Sequence, residues 1–310
     1  MSNNFKGNAA LLITAIVWGS GFIAQKLGGE AMPPMSFNAT RQLMASIALI
    51  PFAYFSVRSN EYFSKEKNTS SQIGHKIKWL IAAAIVCGGF LVVSTDLQQI
   101  GLATVSAGKS GFITVTYVVF VPLIGMFIGQ KASKKAFLCA ALALVGFAVM
   151  SLRFDGGMSK GDWLTLLSAI VFSGQMLAVN HFVDDGNYMV LSVVQSGFCG
   201  ISGLIVGILV ESPTLASFQA ALPLLLYATF VPSCIGYTCQ IIGQKFTDST
   251  TAALILSLEA VFAALFGAIF LGESMSIREV AGSVIIFAAV IIAQIGSDAA
   301  DATEGETENS

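Results

Sequence analysis

Charged side chains are scarce in this 310-residue chain: Asp, Glu, Lys and Arg together make up only 11% of it. A soluble globular protein has about 25% of such residues. Hydrophobic residues reach 55% and the mean hydropathy is +0.77. This composition excludes an ordinary soluble globule and indicates a membrane protein. The net charge of −2 carries little information, because the distribution of the charges matters more.

Groups that commonly carry catalysis are also scarce. The chain has two histidines, His75 and His181, and neither stands beside a plausible nucleophile. It lacks an HExxH zinc motif, a glycine-rich phosphate loop with its lysine, and a GxSxG serine elbow. A membrane-embedded enzyme is therefore a remote alternative. Since no nucleotide-binding domain is present, we expect an ion gradient or the gradient of a solute, and not ATP, to drive any transport.

The cysteines do not form a cluster with the spacing of metal ligands. All of them fall inside apolar stretches, where buried and unreactive thiols are the usual case. We therefore expect neither a metal nor another cofactor. The five residues are Cys87, Cys139, Cys199, Cys234 and Cys239.

Long apolar runs dominate the chain. A membrane-spanning helix needs about 20 mostly apolar residues, because the hydrocarbon interior offers backbone groups no hydrogen-bond partner. Ten stretches meet this description, and the first lacks the basic start and cleavage site of a signal peptide. They lie at about 9–27, 36–56, 79–100, 106–128, 136–152, 163–183, 188–210, 222–243, 250–271 and 278–296.

The last five stretches repeat the first five. At an offset of 154 residues, Leu12 falls on Leu166. Further along, at an offset of 143 residues, Gly129 falls on Gly272. The spans keep their order and spacing, which chance identities in apolar sequence would not do.

One copy of the repeat contains five spans, an odd number, so the second copy enters the membrane upside down. Inverted repeats of this kind are typical of secondary transporters, with the solute path between the copies. We expect an all-α membrane protein of ten transmembrane helices in two inverted five-helix repeats around a central cavity. The two repeats span 7–152 and 160–296.

The distribution of Lys and Arg indicates how the chain is oriented in the membrane, because basic loops stay in the cytoplasm. With both termini inside, ten Lys and Arg residues lie in cytoplasmic segments and four on the other side. We therefore expect cytoplasmic termini in a plasma (inner) membrane protein. The acidic tail at 297–310 has the composition of a disordered cytoplasmic segment. The connection at about 57–78 is read as a cytoplasmic loop, and Pro213–Ala221 as a stretch along the outer surface.

Four charged residues fall inside predicted spans: Arg41, Asp96, Lys109 and Glu259. Burying a charge in a bilayer costs about 2.5–3.5 kcal/mol on insertion scales, so a chain keeps one only with a partner or a purpose. The first three should lie at a similar depth, in the outer third of the membrane. Two cations and one carboxylate leave a positive charge free for an anionic group of a solute. Alternatively, Asp96 bridges the two cations to hold helices together, or the cations extend outward on their long stems.

Glu259 stands near the middle of the ninth span, without a basic residue nearby on its helix. Such a carboxyl is a candidate for taking up and releasing protons near neutrality, as a proton-coupled carrier requires. Asp96 is a second candidate. The alternative is a permanently protonated Glu259 that hydrogen-bonds a neighbouring helix.

Polar and aromatic side chains recur at helical spacing around these charges. They favour a solute pocket lined by amides and aromatics, with Arg41 and Lys109 among its binding residues. Hydrogen bonding between helices is the alternative for any single glutamine. The candidate residues are Trp18, Phe22 and Gln25 on the first span, Gln99 on the third, Gln175 on the sixth, and Tyr237, Gln240 and Gln244 on the eighth.

Six short sequence features, taken together, are characteristic of one protein family. They are Trp18-Gly19-Ser20-Gly21-Phe22, Arg41, Ser106-Ala107-Gly108-Lys109-Ser110-Gly111-Phe112, Val121-Pro122-Leu123, Leu258-Glu259-Ala260-Val261-Phe262-Ala263-Ala264, and Leu271-Gly272-Glu273. With them, the chain resembles the drug/metabolite transporter superfamily in its EamA-type ten-helix branch, from Gly7 to Ile295. The resemblance implies inverted repeats, alternating access, and movement of small organic solutes, often outward. This branch often has proline after the span-nine glutamate, whereas Ala260 stands here, so a bend at that point is in question.

We therefore expect a secondary active transporter that moves a small polar metabolite, amino-acid-like or another organic solute, and exports it with proton coupling. A facilitative carrier or channel-like pathway without ion coupling is the alternative. The expected partners are the small solute and membrane lipid, without nucleic acid. The protein is expected to be a monomer or a homodimer.

Overall fold

The computed structural model describes residues 3–59, 70–129, 134–151, 158–183, 187–247 and 249–294. These residues form helices joined by short turns, with no strand among them, as the sequence predicts for an all-α protein. The expected tail at 297–310 and the central part of the expected cytoplasmic loop, at 60–69, lie outside the described residues.

Thirteen α-helices occupy the described ranges. They are α1 (Asn3–Ala31), α2 (Pro34–Ser59), α3 (Ser70–Leu102), α4 (Ala107–Thr114), α5 (Tyr117–Gly125), α6 (Lys134–Ser151), α7 (Lys160–Val183), α8 (Tyr188–Glu211), α9 (Leu215–Ala228), α10 (Thr238–Phe246), α11 (Ser249–Ser257), α12 (Glu259–Leu271) and α13 (Ile277–Gln294). A 3₁₀ turn (Met126–Ile128) follows α5, and a π-helical segment (Thr229–Tyr237) joins α9 to α10.

Six helical segments in the described ranges are long and apolar enough to cross a membrane. They are Phe5–Ala31, Ser70–Leu102, Ala107–Ile128, Lys160–Val183, Tyr188–Glu211 and Leu215–Phe246. Phe137–Ser151 and Ile255–Leu271 are shorter apolar helices. The described parts of the ten predicted spans are helical, apart from Ser106, short turns at 115–116 and Leu258.

The stretch expected along the outer surface, Pro213–Ala221, is mostly helical. Helix α9 begins at Leu215 and continues through the π-helical segment into α10. Thr214 starts this helix with a capping box, in which its hydroxyl accepts from the Ser217 N–H at 3.1 Å. A cap of this kind satisfies N–H groups that the first turn leaves without partners.

Two pairs of consecutive helices, α4 with α5 and α11 with α12, each form a rod that is interrupted near its middle. Between α4 and α5, the Val118 N–H donates to the Val115 carbonyl at 3.1 Å. Between α11 and α12, the Val261 N–H donates to the Leu258 carbonyl at 3.0 Å. These bonds between residues three apart tighten the chain locally and break the regular α-helical ladder. The second break occurs directly before Glu259, although Ala260 takes the place of the proline.

Helices of the first half, α1 to α6, pack mainly against helices of the second half, α7 to α13. The most extensive contacts join α2 to α8, α3 to α7 and α6 to α13, while α1 packs along α12 and along the rod formed by α9 and α10. Buried side chains from both halves, including Leu11, Leu91, Phe172 and Leu256, belong to one hydrophobic cluster. The core therefore lies between the halves and not inside either.

Small residues lie where two helices approach each other most closely. Where α6 meets α13, a Cβ atom on Gly282 would lie 2.6 Å from the Gly146 carbonyl oxygen, and a Cβ on Gly146 would lie 2.9 Å from the Gly282 carbonyl oxygen. Only glycine allows the two backbones to approach this closely. Gly89, on α3, has open space where its Cβ would be.

We expect Gly282→Leu to destabilise the protein by about 1–3 kcal/mol, because the added side chain must push α13 away from α6. Thermal unfolding of the detergent-solubilised protein measures the effect as a lower melting temperature. Gly89→Leu is the matched control and should leave the melting temperature nearly unchanged. Equal melting temperatures for both variants would contradict the close crossing.

Candidate functional site

A narrow cavity of about 30 Å³ lies between the two halves of the bundle. Residues from α1, α2, α3, α7 and α12, from the α4–α5 rod and from the π-helical segment line it, so neither half encloses it alone. They are Trp18, Phe22, Gln25, Arg41, Gln98, Thr114, Tyr117, Phe172, Pro232, Tyr237 and Glu259.

Arg41 is 2% exposed and lines this cavity. Its guanidinium donates to the Ser233 hydroxyl at 2.9 Å and weakly to the Gln25 side-chain oxygen at 3.5 Å. Its Nε has no hydrogen-bond partner within the described residues. The cation therefore has neutral partners only, in a place where a carboxylate or another anion could still bind.

Glu259 faces the same cavity at the first turn of α12 and is 3% exposed. The Tyr117 hydroxyl is close enough to interact with its carboxyl. In the described part of the chain, neither the Tyr117 hydroxyl nor Glu259 Oε1 has a hydrogen-bond partner of good geometry. Buried polar groups are normally satisfied, so this pair can accept a hydrogen-bonding solute or water.

Aromatic rings form one wall of the cavity. Trp18 packs edge-on against Tyr237 with ring centroids 5.1 Å apart, and its indole N–H donates to the Pro232 carbonyl at 3.1 Å. As helical spacing predicts, Trp18, Phe22 and Gln25 all lie on the face of α1 that lines the cavity. This wall provides apolar area beside the charged groups.

Asp96 lies next to the cavity but does not line it. Its carboxyl accepts from the Asn38 side-chain amide at 2.5 Å. It is near enough to Arg41 for a Coulombic interaction, yet no nitrogen–oxygen pair of these two described residues is within the 4.0 Å of an ion pair. The structure thus brings both predicted charges together without pairing them.

Four predicted glutamines lie outside the cavity lining. One of them, Gln244, donates to the Met176 backbone carbonyl at 3.4 Å. Gln99 donates to the Gln25 backbone carbonyl at 2.7 Å and ties α3 to α1. Gln240 donates to the Gln175 side-chain oxygen, and Gln175 donates to that of Gln195, each at 3.3 Å. These bonds join α10, α7 and α8, which is the alternative that the sequence left open.

Lys109 is separated from Arg41 and Asp96, so the expected set of three charges does not form. Its ammonium group pairs with Asp162 at 2.8 Å. Asp162 is fully buried and also accepts from the Ser159 N–H at 3.1 Å, at the start of α7. Asp162 was not predicted as a site residue because it lies at the boundary of a predicted span.

A second ion pair lies near the first. Lys26 pairs with Glu273 at 2.7 Å and donates to the Val105 carbonyl at 3.0 Å. The other oxygen of Glu273 accepts from the Ala107 N–H at 2.8 Å, just before Lys109. Both ion pairs connect the first half of the chain to the second. We call this end of the bundle, defined by Lys26, Lys109, Asp162 and Glu273, the ion-paired end.

Several lining residues were not predicted from the sequence. Gln98 donates to the Thr114 hydroxyl at 3.1 Å, and Tyr117 follows three residues after Thr114. The spacing of Thr114 and Tyr117 on one helical face was an available signal. No such signal marks Phe172 or Pro232 in the sequence, because both look like ordinary apolar residues.

Known proteins resemble this chain over nearly its whole length. An uncharacterized transporter of Archaeoglobus fulgidus is 29% identical over 289 residues, which cover 92% of this chain and 84% of that protein. The uncharacterized inner membrane transporter YedA of Escherichia coli is 24% identical over 299 residues, which cover 91% and 89%. A crystal structure of another protein superimposes with a TM-score of 0.61 at 16% identity, covering 93% of this chain and 96% of that one.

The family profile described as "EamA-like transporter family" matches residues 5–152 and again residues 159–294. These matches extend over the helices that enclose the cavity. This multi-pass membrane protein therefore belongs to the EamA-like transporter family.

Proposed function

We propose that the protein is a secondary active transporter that exports a small polar metabolite with an anionic group, such as a carboxylate. The observation that carries this proposal is the buried cavity between the halves, where the Arg41 guanidinium has neutral partners only. A buried cation without an anionic partner is costly unless a ligand completes it. An anionic group on the solute would form charge-assisted hydrogen bonds there.

Two inverted five-helix repeats, at 7–152 and 160–296, form the ten-helix architecture in this proposal. Corresponding contacts support it. A Cβ on Gly7 would collide with the Thr247 hydroxyl, and a Cβ on Gly161 would collide with the Thr104 hydroxyl. Gly7 and Gly161 are 154 residues apart, and Thr104 and Thr247 are 143 apart, so these are the same contact made once by each repeat.

The interrupted rods support the same symmetry. The bond from Val118 to Val115 and the bond from Val261 to Leu258 are also 143 residues apart. Gly129 and Gly272, again at this offset, both end their rods with positive φ angles of 88° and 64°. Alternating access would then follow from rocking one repeat against the other around the cavity.

Solute binding involves Arg41, Trp18, Gln25 and Tyr237 in this mechanism, because all four line the cavity. Lys109, Gln99, Gln175 and Gln240 contribute from outside the lining, by holding the helices that position it. Glu259 takes up the proton, since its carboxyl faces the cavity with an unpartnered oxygen. Asp96 is the second proton candidate.

The proposed location is the plasma (inner) membrane, with both termini in the cytoplasm. The excess of basic residues on the side of the termini supports this orientation. The E. coli relative is named an inner membrane transporter, which supports the location. The proposal needs one chain only, as a monomer or within a homodimer.

A metabolite-resolved comparison of cells with and without the protein should reveal an exported carboxylate. Proteoliposomes loaded with this solute should then take up its radiolabelled form by saturable counterflow, because a carrier exchanges solute through one alternating site. Empty liposomes are the control. Non-saturable flux without counterflow would favour the channel-like alternative, and chemical turnover without translocation would favour an enzyme.

Arg41→Ala should reduce counterflow by roughly ten-fold or more, because a hydrogen bond to a charged group contributes about 1.5–3 kcal/mol. Arg41→Lys keeps the charge without the forked geometry and should retain part of the activity. Arg58→Ala removes an exposed arginine near the end of the same helix and should have no effect. Normal counterflow by correctly inserted Arg41→Ala protein would remove Arg41 from the mechanism.

Glu259→Gln should abolish the dependence of net solute movement on a proton gradient, because the amide cannot exchange a proton. Counterflow, which needs no net proton movement, should persist. Solute flux measured with and without an imposed pH difference tests this, and Glu30→Gln, at an exposed position near the end of α1, is the control. An unchanged response of Glu259→Gln to the gradient would assign the coupling to another group.

A further inference from the structure

The spacing between Arg41 and Asp96 requires an explanation. Both side chains are at least nine-tenths buried and near enough to interact electrostatically. Opposite charges in a medium of low dielectric attract strongly, and a buried pair normally closes to hydrogen-bond distance. Nevertheless, no nitrogen–oxygen pair of these two described side chains lies within 4.0 Å.

Asn38 holds the Asp96 carboxyl. It is fully buried and lies one helical turn before Arg41 on α2. One N–H of its amide donates to Asp96 at 2.5 Å, and the other donates to the Thr95 hydroxyl at 2.8 Å. An ionised carboxylate can only accept hydrogen bonds, so the amide nitrogen, and not its oxygen, faces the ionised form of Asp96.

Thr95 fixes this arrangement to the backbone of α3. Its hydroxyl accepts from Asn38 and donates to the Leu91 carbonyl at 2.6 Å. Asn38 is therefore bound at two adjacent points of α3, and its amide cannot follow Asp96 if the carboxyl moves towards Arg41. Both donors of the amide are used, while its oxygen has no partner within the described residues.

We propose that Asn38 is a positioning residue that keeps Asp96 off Arg41 and so leaves the Arg41 charge available to the solute. Without the amide donors, the Asp96 carboxyl loses its hydrogen-bond partner, and Arg41 is the cation that remains in its reach. The resulting ion pair would occupy the guanidinium that the cavity presents. This inference rests on the proposed role of Arg41 in solute binding.

The test uses butane-2,3-dione, a small neutral reagent that modifies guanidinium groups, and so needs no knowledge of the solute. The purified protein in detergent is treated with the reagent, and mass spectrometry of its peptides gives the rate of modification at Arg41. The exposed Arg58 serves as the internal standard within the same molecule. In the unmodified sequence, Arg41 should react measurably, and no reaction there would overturn the proposal.

Asn38→Leu should slow the modification of Arg41 relative to Arg58 by roughly ten-fold or more, the factor that a charge-assisted hydrogen bond can supply. The double variant Asn38→Leu with Asp96→Asn should return the rate to that of the unmodified sequence, because no carboxylate remains to pair. Asn180→Leu, on α7, removes an amide with no hydrogen bond to Asp96 or Arg41 and should change nothing. If Asn38→Leu does not fold, Asn38→Ala removes the amide donors with a smaller side chain and introduces no new donor.

Unchanged labelling in Asn38→Leu would overturn the proposal. So would slow labelling that the second substitution fails to restore, since a purely structural role of Asn38 gives that result. The counterflow assay reports separately on the transport function. Failure of the transport function and failure of the labelling prediction can therefore be distinguished.

Discussion

The cost of placing charge in a hydrocarbon interior governs this structure. A buried cation or carboxyl in a membrane must be paired, hydrogen-bonded or exposed to an aqueous or ligand-filled space. The protein uses all three solutions. Lys109 pairs with Asp162, Asp96 accepts from Asn38, and Arg41 faces the cavity with neutral partners. The Lys109 pair lies at the ion-paired end, whereas Arg41 lines the cavity with Asp96 beside it. This separates the paired charges from those at the cavity.

The paired charges gather at the ion-paired end, where each pair joins the two halves of the chain. In the proposed arrangement of two inverted repeats, Lys26 corresponds to Asn180 and Lys109 to Ala252, both neutral. The equivalent ion pairs would then be absent from the other repeat. On the proposed alternating-access mechanism, the two ends of the cavity would therefore present different barriers to opening.

Sequence patterns predicted the helices well, because long apolar runs leave few alternatives in a membrane. They predicted the face of α1 that carries Trp18 and Gln25, since spacing on one helix requires no knowledge of its neighbours. They did not show that Lys109 pairs with Asp162, because that depends on α4 lying beside α7. Nor did they distinguish Gln98 from Gln99. These neighbours point about 100° apart on α3, and the packing of α3 decides which one faces the cavity.

The interruptions of the helices place Tyr117 and Glu259 opposite each other. Each residue begins the second half of a broken rod, α5 or α12, and the breaks are related by the repeat offset. A continuous helix resists bending because its hydrogen-bond ladder must be disrupted, whereas a rod already broken there can change its angle with less cost. A group carried at such a point moves when the half-rods move. In the proposed mechanism, Glu259 and Tyr117 therefore lie where uptake of a proton and the geometry of the cavity would affect each other.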